Sequence, residues 1–234
     1  MTMLRNITRG AVATAIAALG VAAPTSSASA LGCSISNFTP RVVIIGLAPV
    51  QRTFDVSHSC GGGQYEDWNI NIGRFDAYVY DSAPTQVFYP PSYNKDAGAK
   101  DVVVEASGYD SADNSINATR IFLGGFRLKR QTTISFNAAP EPVKYRSPLS
   151  LRGRLFRANW DTVKYDALGG RTVAVQFRTA TGPYSTVKTV TTDSSGRVAT
   201  SVTATRSGVW RLHYRGNSVE GASSSVADAV AVTR

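Results

Sequence analysis

From residue 31 onward the chain alternates apolar and polar side chains with a period of two, and no sustained 3.6-residue apolar repeat follows the first 30 residues. Short runs rich in Val, Ile, Thr, Tyr and Phe are separated by Gly, Pro, Asn, Asp and Ser, which predicts strands joined by turns. The second half is the clearer one. Strands are predicted over Thr132–Asn137, Leu149–Phe156, Thr172–Arg178, Tyr184–Thr191, Arg197–Ala204, Gly208–Tyr214 and Ser224–Val232. Leu149, Leu151 and Leu155 share one face of their strand, while Arg152 and Arg154 take the other. Val173, Val175 and Phe177 alternate in the same way with Gln176 and Arg178. Gly182-Pro183 signals a turn, and Asp193-Ser194-Ser195-Gly196 predicts a hairpin loop with glycine at the left-handed position.

Seven strands in about 100 residues point to an immunoglobulin-like sandwich over residues 131–234. The Cys…Trp…Cys spacing of antibody domains is missing, so the expectation concerns architecture alone. Over residues 31–130 the pattern is less regular. Strands are predicted at Arg41–Gly46, Gln51–Ser59, Arg74–Asp81, Lys100–Gly108 and Arg120–Lys129, with a loop from Ser82 to Ala99 that carries Pro84, Pro90 and Pro91. The fold class expected is all-β: two β-sandwich domains, 31–130 and 131–234, meeting near Arg130. Ala138-Ala139-Pro140-Glu141-Pro142 reads as a kinked edge strand.

The first 30 residues differ from all that follows. Arg5 and Arg9 precede an apolar stretch, Ala11–Ala23, which is too short to span a bilayer, and Ala28-Ser29-Ala30 fits a small-residue cleavage site. Residues 1–30 are therefore expected to be a signal peptide, with secretion as the outcome. Ala30-Leu31-Gly32-Cys33 also fits a lipobox loosely, in which case Cys33 would be lipid-anchored. The favoured alternative is a Cys33–Cys60 disulfide, formed in an oxidising space after export.

Charge is unevenly divided. Residues 31–130 hold 9 basic and 10 acidic side chains, whereas residues 131–234 hold 14 basic and 6 acidic ones. Strand alternation turns Arg152, Arg154, Arg178 and Arg211 outward, so these four are the candidate polyanion-binding residues. An anionic cell-wall polymer or another acidic extracellular surface is the expected partner. Nucleic acid is not, because no recognised binding motif occurs, and no apolar run after the signal is long enough for a membrane helix.

Candidate chemistry is sparse. Asp110, Asp113 and Asn114 lie in one predicted loop and supply the hard oxygen ligands calcium prefers, though without the glycine and glutamate of an EF-hand. The chain has two histidines, His58 and His213, and no Gly-x-Ser-x-Gly elbow, so no catalytic residue is assigned. Gly61-Gly62-Gly63 lacks the Lys-Ser/Thr that follows a phosphate loop. Tyr78, Tyr80, Phe88, Tyr89, Tyr93, Trp160, Tyr165 and Tyr184 are aromatic candidates for stacking on sugars.

In the second half, Ala139-Pro140-Glu141-Pro142-Val143-Lys144, Leu155-Phe156-Arg157-Ala158-Asn159-Trp160-Asp161, Lys164-Tyr165, Val173–Arg178 and Ser207–Arg211 carry a family resemblance. They resemble a family of secreted actinobacterial proteins that pair a variable N-terminal β-domain with an immunoglobulin-like C-terminal one. The resemblance covers about residues 130–234. It implies export and fold, and some members carry a calcium-binding label, but it brings no catalytic residue. The expectation from residues and resemblance together is a secreted, non-enzymatic binding or structural protein associated with the cell envelope, with calcium as a candidate ligand of the first domain. A carbohydrate-binding accessory module is the first alternative and a small secreted hydrolase the second.

Overall fold

The computed structural model describes residues 33–60, 64–72, 75–80, 85–109 and 113–234. The predicted signal peptide, Gly61–Gly63 and Asp110 lie outside the described residues. Regular structure among them is strand, apart from one short 3-10 turn at Asn94–Asp96.

The first half contains β1 (Cys33–Thr39), β2 (Val42–Ile45), β3 (Val50–Thr53), β4 (Asp55–Cys60), β5 (Gln64–Ile72), β6 (Phe75–Tyr80), β7 (Thr85–Phe88), β8 (Gly98–Tyr109) and β9 (Ser115–Arg130). A five-stranded sheet runs in the order β2-β9-β8-β5-β6, with β2 parallel to β9. The ladders β1–β4 and β3–β7 complete this half and enclose a core that includes Phe38, Phe54, Phe88 and Phe126. Phe88 and Phe126 stack with ring centroids 5.9 Å apart.

That core explains where the expected strands shift. Gln51–Ser59 divides into β3 and β4 because Phe54, fully buried, turns inward between them and the two segments join different ladders. The expected loop Ser82–Ala99 contains β7, anchored by the buried ring of Phe88 ahead of Pro90 and Pro91. β1 was not foreseen, because a register shift between Ile35 and Asn37 breaks the period of two and turns both Ile35 and Phe38 inward.

The second half contains β10 (Thr132–Ala139), β11 (Val143–Lys144), β12 (Pro148–Asn159), β13 (Lys164–Ala167), β14 (Thr172–Arg178), β15 (Ser185–Thr191), β16 (Arg197–Thr203), β17 (Gly208–Tyr214), β18 (Ser223–Ser224), β19 (Asp228–Val230) and β20 (Val232–Thr233). It is a sandwich. β10 pairs with β12, whose other edge carries β16 and then β13. The facing sheet runs β15-β14-β17, with β18 and β19 on the far edge of β17. Leu149, Leu151, Leu155, Val173, Val175, Phe177, Trp210 and Leu212 meet between the sheets, as the alternation predicts. Gly153 sits at the closest approach: a Cβ there would lie 2.3 Å from Ser135 O and 2.5 Å from Leu212 Cδ1.

The turn at Asp193–Gly196 forms as expected. Gly196 has φ +74°, and Asp193 Oδ1 accepts hydrogen bonds from the backbone N–H groups of Ser195 and Arg197 at 2.8 and 2.9 Å. The strands it joins nevertheless belong to opposite sheets, so it is a corner of the sandwich rather than a hairpin within one sheet. The expected closing strand Ser224–Val232 resolves into β18, β19 and β20, the last parallel to β11.

The halves meet over a specific contact surface. Ala158 and Trp160, at the end of β12, are buried in the core of the first half. Trp160 Nε1 donates to Gly46 O at 3.0 Å, and Trp160 N donates to Asn94 Oδ1 at 2.9 Å. Asn94 Nδ2 in turn donates to Asn159 Oδ1 at 2.6 Å. Beside this clasp, Glu220 is completely buried. Its carboxylate accepts from Arg157 Nη1 at 2.6 Å, from Arg171 Nε and Nη2 at 3.0 Å each, from Asn217 Nδ2 at 2.7 Å, and from the Tyr214 hydroxyl.

Burial alone would raise the Glu220 pKa, but the hydrogen bonds from Arg171, Tyr214 and Arg157 outweigh it and hold the carboxyl down to about 2. A carboxylate depressed on folding stabilises the fold above its unfolded pKa, near 4.5, and loses that contribution as pH falls through about 2. The wild type should therefore lose about 3 kcal/mol from this group between those pH values. Glu220→Gln should be less stable at pH 7 by about 3–5 kcal/mol and should lack that acid-dependent loss. Urea unfolding at a series of pH values measures both.

Candidate anion-binding face

The outer face of the β10-β12-β16 sheet is built by alternation. Leu149, Leu151 and Leu155 point into the sandwich, so Ser150, Arg152, Arg154 and Phe156 point out. Register then adds their neighbours. Arg152 lies opposite Asn137 on β10 and Ala199 on β16, while Arg154 lies opposite Ser135 and Arg197. Directly opposed residues of an antiparallel pair share a face, with Cβ atoms about 4.5–5.5 Å apart. Arg152 and Arg154 are two residues apart on one strand, about 7 Å at the usual rise. Three arginines thus form a compact triangle on a face that carries no acidic residue.

The triangle is partly ordered. Arg154 Nε donates to Ser195 O at 2.8 Å, and its guanidinium lies 4.9 Å from the Phe156 ring centroid. Arg152 and Arg197 are exposed. Among the described residues the ion pairs of this half join Arg157 and Arg171 to Glu220. Four of the five remaining acids bond to backbone N–H or side-chain amide groups, and the fifth, Glu141, is exposed beside Asp228. Asp193 caps its turn, and Asp228 accepts from Ala138 N at 2.8 Å. Asp161 receives Asn94 N at 3.0 Å, and Asp166 receives Asn159 Nδ2.

Arg178 and Arg211 lie on the opposite sheet, so the four arginines singled out from the sequence divide into two pairs on different faces. This second pair brackets Tyr184, whose ring centroid is 5.1 Å from Arg178 and 3.7 Å from Arg211. Arg178 Nη1 donates to Ala180 O at 2.9 Å, and Arg211 Nε donates to Gln176 Oε1 at 2.8 Å. Arg197 was missed from the sequence. The outward alternation of Arg197 against Val198 was visible, but its place beside Arg154 depends on pairing across 43 residues.

Other candidates are placed as follows. Asp113 and Asn114 are exposed in the turn between β8 and β9, with Asp113 at φ +59°. Among the described residues no group of three or more His, Cys, Asp or Glu side chains is arranged to hold a metal ion. Cys33 and Cys60 are Cα partners at the end of the β1–β4 ladder. Phe88 and Trp160 belong to the core, whereas Tyr89 and Tyr93 are exposed. Tyr89 lines a cleft of about 440 Å³ with Leu47, Pro90, Pro91, Trp160 and Val163. His213 Nδ1 lies 2.9 Å from Ser224 Oγ. Burial and the charges of Arg211 and Arg215 lower the His213 pKa. No helix among the described residues is long and apolar enough to cross a membrane.

No protein-family model matches the chain, and neither does any curated protein. Among solved structures it is similar to part of a 1.5-MDa bacterial ice-binding adhesin studied for host cell surface retention, with 13% identity and a TM-score of 0.36. That match covers 87% of this chain and 65% of the other. It is also similar to the fibronectin(III)-like modules of Clostridium thermocellum CbhA, at 10% identity and a TM-score of 0.34, over 86% of this chain and 92% of the other. A domain pair of intimin matches at 13% identity and a TM-score of 0.31, over 85% of this chain and 98% of that one.

Arginines facing each other across a ladder repel, which costs roughly 0.2–1 kcal/mol relative to a neutral pair. Arg197→Glu should therefore raise stability by about that amount, through pairing with Arg154. Urea unfolding of the variant beside the wild type checks the sign.

Proposed function

We propose that this is an exported, non-enzymatic binding protein that holds an anionic polymer of a cell envelope against the outer face of its second domain. The observation that carries this reading is the Arg152–Arg154–Arg197 triangle. Two of its members repel across a ladder, and none has a carboxylate partner among the described residues. A phosphate-bearing chain laid across the sheet would relieve that repulsion, and guanidinium forks bind phosphate oxygens in pairs. The rest of the sandwich then acts as a rigid mount.

The attraction weakens as salt screens the charges. The mature protein should be retained on immobilised polyphosphate at low ionic strength and released by moderate salt. Arg152→Ala/Arg154→Ala/Arg197→Ala should elute at distinctly lower salt, with its melting temperature kept. Equal elution of triple variant and wild type would overturn the assignment of this face.

Export brings the Cys33–Cys60 disulfide with it in this reading. Directly opposed residues in an antiparallel pair have Cα atoms about 4.5–5.5 Å apart, inside the range a disulfide spans. Protein recovered from the secreting cell should resist alkylation until reduced, and reduction should cost about 3–4 kcal/mol of stability in the chain-entropy account. A lipid-anchored Cys33 would instead leave Cys60 open to alkylation without reductant.

A further inference from the structure

The two sheets of the second sandwich each end in an edge strand on the same side. Among the described residues β15 pairs with β14 alone, and β16 pairs with β12 alone. Lys188 spans the gap between them, its Nζ donating to Thr200 Oγ1 at 2.7 Å. Neither edge is suited to take up a further strand from this gap. The register shift between Val175 and Gln176 leaves Val187 without a partner on β14. Lys188 lies opposite the buried Val175 and so brings a charge to the inner face. A bulge and an inward charge are common means of closing an edge to further pairing.

What stays open between the edges is a cleft of about 360 Å³. The ring pair Phe177 and Trp210, with centroids 4.7 Å apart, lines it together with Val187 and Val202. Lys188 and Arg206 bring positive charge to the same cleft, and the Arg206 guanidinium lies 4.9 Å from the Phe177 ring centroid. Thr205 and Arg206 also line a second cleft, of about 840 Å³, with Lys144, Tyr145 and Ser207. The two clefts therefore adjoin along one short segment. Arg234 lines the second cleft but adds no net charge, because its α-carboxylate offsets its guanidinium. The positive charge there comes from Lys144 and Arg206, and no Asp or Glu side chain lines either cleft.

Ligand sites are concave, run from about 300 to 1,000 Å³, and combine an apolar lining with a few polar groups that fix orientation. Here hydrocarbon and charge are separated in space. The apolar slot lies between the sheets, and the cations stand where it meets the larger cleft. We propose that this edge binds a single-chain anionic amphiphile, with its hydrocarbon tail between the sheets against Phe177 and Trp210 and its anionic head on Lys144 and Arg206. The site is separate from the arginine triangle, which lies on the outer face of the β10-β12-β16 sheet, and does not depend on the triangle's role.

The test titrates the mature chain calorimetrically with decyl phosphate, below its micelle concentration and at several temperatures. Inorganic phosphate and the neutral decyl maltoside are titrated beside it. The expected result is saturable binding of one decyl phosphate with a negative heat-capacity change, the mark of buried apolar surface. Both comparison ligands should bind at least tenfold more weakly. Lys144→Ala/Arg206→Ala should bring decyl phosphate down to the affinity of decyl maltoside. Val202→Phe fills the slot and should weaken decyl phosphate at least tenfold. Val187→Asp alters a residue that is 51% exposed, places a carboxylate beside the tail and should weaken binding at least fivefold. Should Val202→Phe fail to fold, Val187→Asp decides the matter. Arg152→Ala/Arg154→Ala/Arg197→Ala should bind as the wild type does, and loss of binding there would move the ligand to the sheet face and overturn the edge site. Equal affinity for decyl phosphate and inorganic phosphate, or undiminished binding in the Val187 variant or in the Lys144/Arg206 pair, would also overturn it.

Discussion

A single carboxylate, Glu220, organises the joint between the two sandwiches. Taking an ionised group out of water is expensive, and the cost is recovered only when its lone pairs are filled in good geometry. Here the donors come from separate places along the chain: Arg157 from β12, Arg171 at the start of β14, Tyr214 from β17 and Asn217 from the turn beyond it. Each segment must be in place before the carboxylate is satisfied. The same stretch pairs with Arg130 through the backbone, so the end of the first half is tied to the knot as well. Trp160 completes the joint from the apolar side, since its ring lies in the core of the opposite half. Gly46 and Gly221 allow the approach, because a Cβ at either would collide with Gln131 or with Ile44.

The distribution of acids follows from this construction. Glu220 is consumed by the joint, Asp161 and Asp166 by the clasp beside it, Asp193 by a turn and Asp228 by a strand end. The sheet faces are left with arginines that have no acidic neighbour on their own face. The positive character of the second half is thus more than a surplus of basic residues. It is a surplus that the fold concentrates on two sheet surfaces and at one buried junction.

Much of the fold was legible in the sequence where period and burial coincide. Leu149, Leu151 and Leu155 alternate cleanly because β12 is an interior strand with one face in the core. The signal failed where the backbone departs from the period. The irregularity after Ile35 hid β1, and the inward turn at Phe54 made two strands look like one. The outward orientation of Arg152 and Arg154 was legible for the same reason as the leucines. That Arg178 and Arg211 occupy a different face, and that Arg197 joins the first pair, was not.

The amino-acid sequence by itself determined the class of structure, the turn at Asp193–Gly196 and the excess of basic residues after Arg130, because these depend on local periodicity, local backbone preference and composition. Tertiary structure alone decided which strands share a sheet, that Trp160 belongs to the other half's core, and which guanidiniums meet a carboxylate. Those outcomes rest on pairings between residues far apart along the chain, such as Arg157 with Glu220 or Arg154 with Arg197. No local pattern encodes such a pairing, since it is selected by the joint requirement that cores close and buried charges find partners.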